Sequence, residues 1–216
     1  MGAGDSVAID SLLSTPSGAL GVALAIVKGS VKGEPKEKAV HAGSALADPL
    51  RRDLFERFLP DSERRTILGP KIDATKLLAL RGDAAQGQKL FAGICAACHR
   101  IGNAGTDFGP ELTHIASKYE RAALLQQILQ PSLVIDPQWQ LTTLTLKSGE
   151  VVGGFVTAET GAELSLKLPG GVAKAVQRGD IVKTARERIS AMPEGLLQTL
   201  TAQEAANLLE YVSSLK

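Results

Sequence analysis

The chain has 216 residues and a formal net charge of +1, from 24 basic and 23 acidic side chains. This near balance excludes a general electrostatic attraction to nucleic acid or to an anionic membrane surface. Hydrophobic residues make up 44% of the sequence, and no run approaches the ~20 apolar residues of a membrane-spanning helix. The length allows one large domain or two small ones.

The first 80 residues predict a helical segment. Four stretches with apolar residues at helical spacing are separated by Gly, Pro and Lys, which end or interrupt helices. The predicted helices span 6–13, 19–27, 36–47 and 49–59. Paired short helices are typical of an α-solenoid of HEAT type, although no clean period repeats over so short a stretch. We therefore predict over residues 1–80 either the tail of such a solenoid or an unspecific helical cap.

The apolar stretch 18–27 is a poor secretory signal. Asp5 and Asp10 precede it, no basic run does, and no small-residue cleavage site clearly follows it. We interpret this stretch as a buried helix. Residues 1–3 (Met-Gly-Ala) would then be an artificial start, where a piece was cut from a longer exported protein.

The two cysteines of the chain lie in one short motif. Residues 95–99 are Cys-Ala-Ala-Cys-His, so Cys95, Cys98 and His99 form the C-x-x-C-H pattern of covalent haem attachment. The spacing lets both thiols reach the vinyl groups of one porphyrin while the adjacent histidine binds the iron. A single motif predicts one covalently bound haem c, with its iron, in each chain.

Two other uses of paired cysteines are open to the same residues. A redox C-x-x-C of thioredoxin type follows a strand in a βαβ unit, whereas residues 84–92 predict a helix before the motif. A zinc site needs four ligands, and beyond the cysteines only His41, His99 and His114 offer a nitrogen ligand. Haem attachment agrees best with the surrounding sequence.

The segments on either side of the motif have different characters. Asp83 is a plausible N-cap for the helix 84–92, which directs Leu90 and Phe91 toward the expected haem. The segment 105–112 is rich in turn-forming residues and includes Gly-Pro-Glu-Leu. We expect a helix before the motif and a loop after it.

A long insertion separates the motif from the end of the chain. After a predicted helix over 115–129, the residues from 139 to 189 change to short alternating runs punctuated by turns. Such runs predict a small antiparallel sheet or barrel, with an order that resembles an Sm-like or SH3-like barrel. The positions predicted to face its interior are Leu144, Leu146, Val152, Val156, Leu164, Leu166, Val176 and Ile181.

The chain closes with a methionine segment and a helix. Its two methionines are Met1 and Met192, and Met192 lies in the sequence Ser-Ala-Met-Pro. Residues 201–215 place apolar side chains at helical spacing and include Tyr211.

These features resemble the class I cytochromes c. The order of motifs over 82–216 is similar to the haem-binding domain family named after Pirellula and Verrucomicrobium, in which the domain usually ends a much longer exported protein. The resemblance implies a mainly α fold, in which a helical cytochrome c domain over 81–216 contains a small antiparallel β barrel or sheet at 139–189. We expect this β module to lie on the Met192 side of the haem. The helical segment over 1–80 would precede this domain.

The resemblance also implies roles for individual residues. Cys95 and Cys98 would hold the haem, and His99 and Met192 would bind its iron. The carbonyl of Pro110 would accept the second N–H of His99, which fixes the tautomer of the imidazole. Leu112 closes the same Gly-Pro-Glu-Leu loop and would contact the haem.

Three further residues are candidates for the packing of this domain. Gly87 matches the family's glycine on the face of the first helix that packs against the terminal helix, and Tyr211 matches an aromatic position near that first helix. Trp139 either packs at the base of the insertion or contacts the haem.

His114 could replace Met192 as the distal ligand, although its position so soon after the loop favours the side of His99.

A His/Met pair leaves the iron without an open coordination site, and the thioether raises the reduction potential. We therefore expect an electron carrier rather than an enzyme. It would accept electrons from a dehydrogenase and pass them to another carrier, in the periplasm or another exported location. A haem sensor or peroxidase-like enzyme with a labile Met192 is the alternative. A third possibility is an interaction module that uses the barrel as its docking surface.

Overall fold

Three clusters of buried apolar side chains organise the computed structural model, which describes residues 3–216. One cluster lies among the N-terminal helices, one among the helices around the cysteine motif, and one inside a β-sheet. Met1 and Gly2, interpreted above as part of an artificial start, lie outside the described residues. Within the described part, no helix is long and apolar enough to cross a membrane.

The N-terminal region contains the four predicted helices. They are α1 (Ala3–Leu13), α2 (Pro16–Val27), α3 (Gly33–Ser44) and α4 (Pro49–Glu56). Thr15 caps α2 and Asp48 caps α4, and each cap is followed by a proline at the first helical position, where the missing N–H costs nothing. The ring of Phe55 is buried against Gly43, where a Cβ atom would come within 2.3 Å of it. The helical prediction is confirmed, and its solenoid interpretation stays a prediction.

Five helices surround the cysteine motif. They are α5 (Ala74–Ala79), α6 (Ala84–Ile94), α7 (Ile115–Lys118), α8 (Arg121–Leu129) and α9 (Ala202–Ser213). Asp83 caps α6, as predicted, and Thr201 forms a capping box with Glu204 at the start of α9. These caps fix where the two helices begin.

Helices α6 and α9 cross in close contact. A Cβ atom at Gly87 would lie 2.0 Å from the carbonyl oxygen of Asn207, so only glycine allows this approach. Phe91 meets Tyr211 edge to face, with ring centroids 5.5 Å apart and the planes at 64°. The predicted packing of Gly87 and Tyr211 at this crossing is confirmed.

The single helix predicted over 115–129 is wrong. The chain is extended at Tyr119 and Glu120, which separates α7 from α8. The side chain of Tyr119 packs against the helical core, and Ala116 N–H donates to the carbonyl of Leu215 at 2.8 Å. Tertiary contacts therefore turn the chain where no Gly or Pro marks a break.

The insertion is a five-stranded antiparallel sheet. Two short strands of the preceding loop, β1 (Arg100–Ile101) and β2 (Ala104–Gly105), form a separate hairpin. The sheet contains β3 (Thr142–Leu146), β4 (Val151–Glu159), β5 (Glu163–Lys167), β6 (Ala173–Gln177) and β7 (Ile181–Arg186), in the order β6-β5-β4-β3-β7. All eight predicted interior residues belong to its apolar cluster. Among the described residues no ladder joins β6 to β7, so the sheet is confirmed but a closed barrel is not.

A five-stranded sheet of this size means that the fold is not simply mainly α. The helical character holds for the segments on either side of the insertion. The register between β4 and β5 shifts between Val156 and Ala158, where β4 has one residue more than β5. Such a bulge bends a strand and increases its twist, which lets one sheet enclose a small core.

Candidate haem-attachment site

The cysteine motif forms one compact turn at the end of α6. Cys95 N–H donates to the carbonyl of Phe91 at 2.8 Å, which continues the helical hydrogen bonding into the motif. Cys98 and His99 N–H then both donate to the carbonyl of Cys95, at 3.0 and 2.9 Å. The attachment residues therefore belong to a single turn whose position is fixed by α6.

The hairpin of β1 and β2 closes the chain behind this turn. Gly105 adopts a φ of +95°, and a Cβ atom there would lie 2.2 Å from the carbonyl oxygen of His99. Thr106 N–H donates to the carbonyl of Ala96 at 2.9 Å. Glycine is required at position 105 both by its backbone conformation and by this approach.

The imidazole of His99 is oriented by the loop that follows. Its Nδ1 lies 2.8 Å from the carbonyl oxygen of Pro110. Because a carbonyl can only accept, Nδ1 carries the proton and Nε2 keeps a free lone pair. This is the tautomer in which Nε2 can bind a metal, and the hydrogen bond raises the basicity of the ligand.

His99 is also kept neutral. Burial lowers its pKa below the ordinary value, because the charged imidazolium loses its hydration, while the hydrogen bond to Pro110 acts in the opposite direction. The neutral form is the one that ligates iron.

Gly109 allows the loop to approach the imidazole. A Cβ atom at Gly109 would lie 2.8 Å from Cε1 and 3.1 Å from Nδ1 of His99. Its N–H donates to the carbonyl of Cys98 at 2.7 Å, and that of Phe108 donates to the same carbonyl at 3.2 Å. The Gly-Pro sequence therefore has a geometric reason beyond a turn preference.

The cysteine environment differs from that of a redox C-x-x-C. Burial and the neighbouring Cys98 raise the pKa of the Cys95 thiol to about 12. A thiol-disulfide catalyst needs a lowered thiol pKa, and here a helix rather than a strand precedes the motif. For the zinc alternative, no group of three or more His, Cys, Asp or Glu side chains in the described part of the chain could hold a metal ion.

Met192 lies in a separate segment, which is tied to the turn that follows α8. Ser190 N–H donates to Ser132 Oγ at 3.1 Å, and Met192 N–H donates to Ser190 Oγ at 3.1 Å. The Met192 side chain is half-buried. The structure thus joins Cys95, Cys98, His99 and Pro110 in one hydrogen-bonded group, and Met192 is not part of that group.

Leu112 has a structural role in the described chain. Its N–H donates to the carbonyl of Arg100 at 2.9 Å, and its side chain packs against the helical core. Its contact with a haem stays a prediction.

Exposed apolar side chains lie next to Ser132 and Ser190, the two serines that the hydrogen bond joins. Leu133 and Val134 follow Ser132 and are 59% and 65% exposed, and Ile189 precedes Ser190 and is 71% exposed. This apolar surface near Met192 suits the flat apolar face of a porphyrin. Together with the free Nε2 of His99, it indicates that the residues present fit a haem.

An aromatic cluster beside the site was not predicted. Phe108 contacts Phe155 of β4, with ring centroids 4.8 Å apart, and Trp139 meets Phe155 edge to face at 5.4 Å. Nζ of Lys167 lies 5.0 Å above the Trp139 ring. Packing of Trp139 at the base of the insertion is therefore confirmed. We expected the sheet on the Met192 side of the haem, but its aromatic contact is with the loop that holds His99. The sequence shows that the loop contains an aromatic residue, Phe108. It could not predict the contact with Phe155, because the two residues are distant in the chain.

His114 lies on the Pro110 side of the site. A cleft of about 320 Å³ is lined by both residues, together with Lys118 and Trp139. His114 itself is exposed. This location agrees with the expectation that His114 stays on the side of His99.

Comparison with known proteins gives one family match. Residues 84–147 match the family model named Cytochrome c, and no curated protein matches the chain. The match begins at the first residue of α6 and includes the cysteine motif and Pro110. It supports a c-type cytochrome and haem-based electron transfer for this part of the chain, and a cytochrome c domain implies covalently bound haem c with its iron.

Proposed function

We propose that this chain carries single electrons through one covalently bound haem c whose iron is ligated by His99 and Met192. When bound, the haem supplies an iron that alternates between the ferric and ferrous states. The observation that carries the proposal is the hydrogen bond from His99 Nδ1 to Pro110, which leaves Nε2 free on the cysteine turn.

The residues of the chain divide the work. Cys95 and Cys98 form thioethers with the porphyrin, which retain it when the iron changes its charge. Pro110 holds His99 in the ligating tautomer. Met192 provides the thioether sulfur, which favours the ferrous state and raises the potential.

The proposed organisation has a helical segment over 1–80 and a cytochrome c domain over 81–216, with the sheet at 139–189 inserted in it. An exported, periplasmic location follows from the chemistry, because C-x-x-C-H motifs are loaded by dedicated maturation systems outside the cytoplasm. A dehydrogenase as electron donor and a second carrier as acceptor complete the proposal.

The test uses the holoprotein made with a cytochrome maturation system. At neutral pH, the reduced protein should show no spectral change under carbon monoxide, because His99 and Met192 would leave the iron no open coordination site. Rapid carbon monoxide binding would overturn the carrier proposal and favour the sensor or peroxidase-like alternative. A His99→Ala variant that keeps the parent's low-spin spectrum would exclude His99 as a ligand.

A further inference from the structure

The Pro110 loop, residues 106–110, lies between the cysteine turn and the inserted sheet. On one side it is held by the N–H groups of Phe108 and Gly109, which donate to the carbonyl of Cys98. Its last residue accepts the hydrogen bond of His99. The position of this loop therefore determines the length and direction of that hydrogen bond.

On its other side the loop is held by the sheet through buried aromatic packing. The rings of Phe108 and Phe155 lie 4.8 Å apart at 31°, and the two residues are only 6% and 4% exposed. Trp139 meets Phe155 edge to face, with ring centroids 5.4 Å apart. Aromatic pairs of this kind stabilise a contact beyond the effect of the area they bury.

A second, polar contact joins the same two parts. Nζ of Lys167 lies 3.1 Å from Oδ1 of Asp107, and the Lys167 side chain is only 17% exposed. Gly171, at the turn between β5 and β6, adopts a φ of +78°, and a Cβ atom there would be 2.9 Å from the carbonyl oxygen of Asp107. The backbone of the sheet thus touches the backbone of the Pro110 loop.

We infer that the inserted sheet supports His99. Phe155 and Lys167 of the sheet act as positioning residues for the Pro110 carbonyl. The inference rests on the proposed function, since it requires His99 to ligate the iron. Neither residue touches His99, and both act through the Pro110 loop. The sheet then tunes the redox centre without contributing a ligand.

The expected effect has a defined direction. A carbonyl that accepts from Nδ1 makes the imidazole a stronger donor, and a stronger donor favours ferric iron. Loosening the Pro110 loop weakens this hydrogen bond, so the reduction potential should rise. The Nδ1 proton should also exchange with solvent faster, because exchange requires the bond to His99 to open.

The experiment compares a neutral variant with a matched control. Phe155→Leu removes the ring contact with Phe108 without changing any charge. Leu164→Ala truncates a residue of the same sheet that is equally buried, at 5%, but belongs to the apolar cluster on the sheet interior. Both variants are measured as holoproteins, by redox titration and by nuclear magnetic resonance of the His99 Nδ1 proton in the ferrous state.

Phe155→Leu should raise the potential and speed the exchange of the His99 Nδ1 proton by about tenfold. Leu164→Ala should change neither, even where it lowers the overall stability. Equal shifts in both variants, or none in Phe155→Leu, would overturn the inference while leaving the His99 ligation intact. A parent protein without a His99-ligated haem would instead overturn the proposed function itself.

A pair of lysine variants tests the polar contact separately. Lys167→Gln breaks the contact with Asp107, and Lys174→Gln removes the same charge from an ion pair with Glu150 within the sheet region. Only Lys167→Gln should speed the exchange of the His99 Nδ1 proton. Equal exchange rates in the two variants would exclude Lys167 as a positioning residue.

Discussion

The guanidinium of Arg52 in α4 binds the carboxylate of Glu204, the residue that closes the capping box of α9. Arg65 reaches the same carboxylate at 3.1 Å and also pairs with Asp53 at 3.2 Å and with Glu56. The Arg52 side chain is 5% exposed. One carboxylate therefore both starts the terminal helix and joins it to the N-terminal helices.

Glu204→Gln should destabilise the folded protein by about 1–3 kcal/mol, because Arg52 loses its charged partner in a poorly hydrated place and Arg65 loses one of its three carboxylate partners. Glutamine can still cap the helix, so the loss of stability measures the contribution of the ion pairs. Urea denaturation measures the change. The control Glu159→Gln, which removes an exposed ion pair with Arg178, should leave the midpoint nearly unchanged, and equal losses would contradict the prediction.

Acid should weaken the same network. The hydrogen bond from Arg65 lowers the pKa of Glu56 below its ordinary value of 4.5. A carboxyl with a lowered pKa in the folded state stabilises the fold above its ordinary pKa and loses this contribution as the pH falls through the folded value. The stability of Glu56→Gln should therefore decrease less steeply below pH 4.5 than that of the parent. Parallel curves in acid titrations of the two proteins would refute this.

Gly109→Ala should disturb His99 directly. The new Cβ atom would lie 2.8 Å from Cε1 of the imidazole, and relieving such a contact costs roughly 1–3 kcal/mol. The holoprotein should unfold at a lower temperature and show an altered ferric spectrum. Gly161→Ala is the matched control, since no heavy atom lies within 4 Å of its Cβ position. Identical spectra in both variants would mean that the loop moves without affecting His99.

Met192→Ala tests the distal ligand. Covalent attachment through Cys95 and Cys98 should persist, because it uses a different part of the chain. The potential should fall as the thioether is lost, and the ferric protein should lose the weak far-red band of sulfur-to-iron charge transfer. Carbon monoxide should bind the reduced variant but not the parent. An unchanged band and potential would exclude Met192 as the distal ligand.

Haem stoichiometry tests the reading of the cysteine motif. The intact mass of the holoprotein should exceed that of the polypeptide by one haem, since the sequence contains one C-x-x-C-H. The double variant Cys95→Ser/Cys98→Ser should retain no haem after acidified-solvent extraction. Extractable haem in the parent would contradict covalent attachment.

Local patterns were enough to predict most of the elements. Apolar spacing and caps such as Asp83 identified the helices, and alternation at period two identified the interior of the sheet. The hydrogen bond between His99 and Pro110, which the family resemblance implied, is present in the structure. These features depend on residues that are close in the sequence or repeat at a fixed spacing.

The contacts that join the parts could not be predicted in this way. Phe108 meets Phe155, and Lys167 meets Asp107, only because the sheet packs against the loop. The break at Tyr119 likewise depends on how its side chain reaches the helical core. Such contacts between distant residues leave no periodic trace in one sequence.

The glycine contact between α6 and α9 has a mechanical consequence. Gly87 lies about 12 Å along the helix axis from Cys95, at a rise of ~1.5 Å per residue, and α6 continues without a break into the cysteine turn. A rotation of α6 about its contact with α9 at Gly87 would therefore move the cysteine turn. A tilt of roughly 5° there would displace the attachment turn by about 1 Å. Backbone-to-backbone contact at Gly87 leaves no side chain between the two helices at that point, so the position of Cys95 depends on the terminal helix.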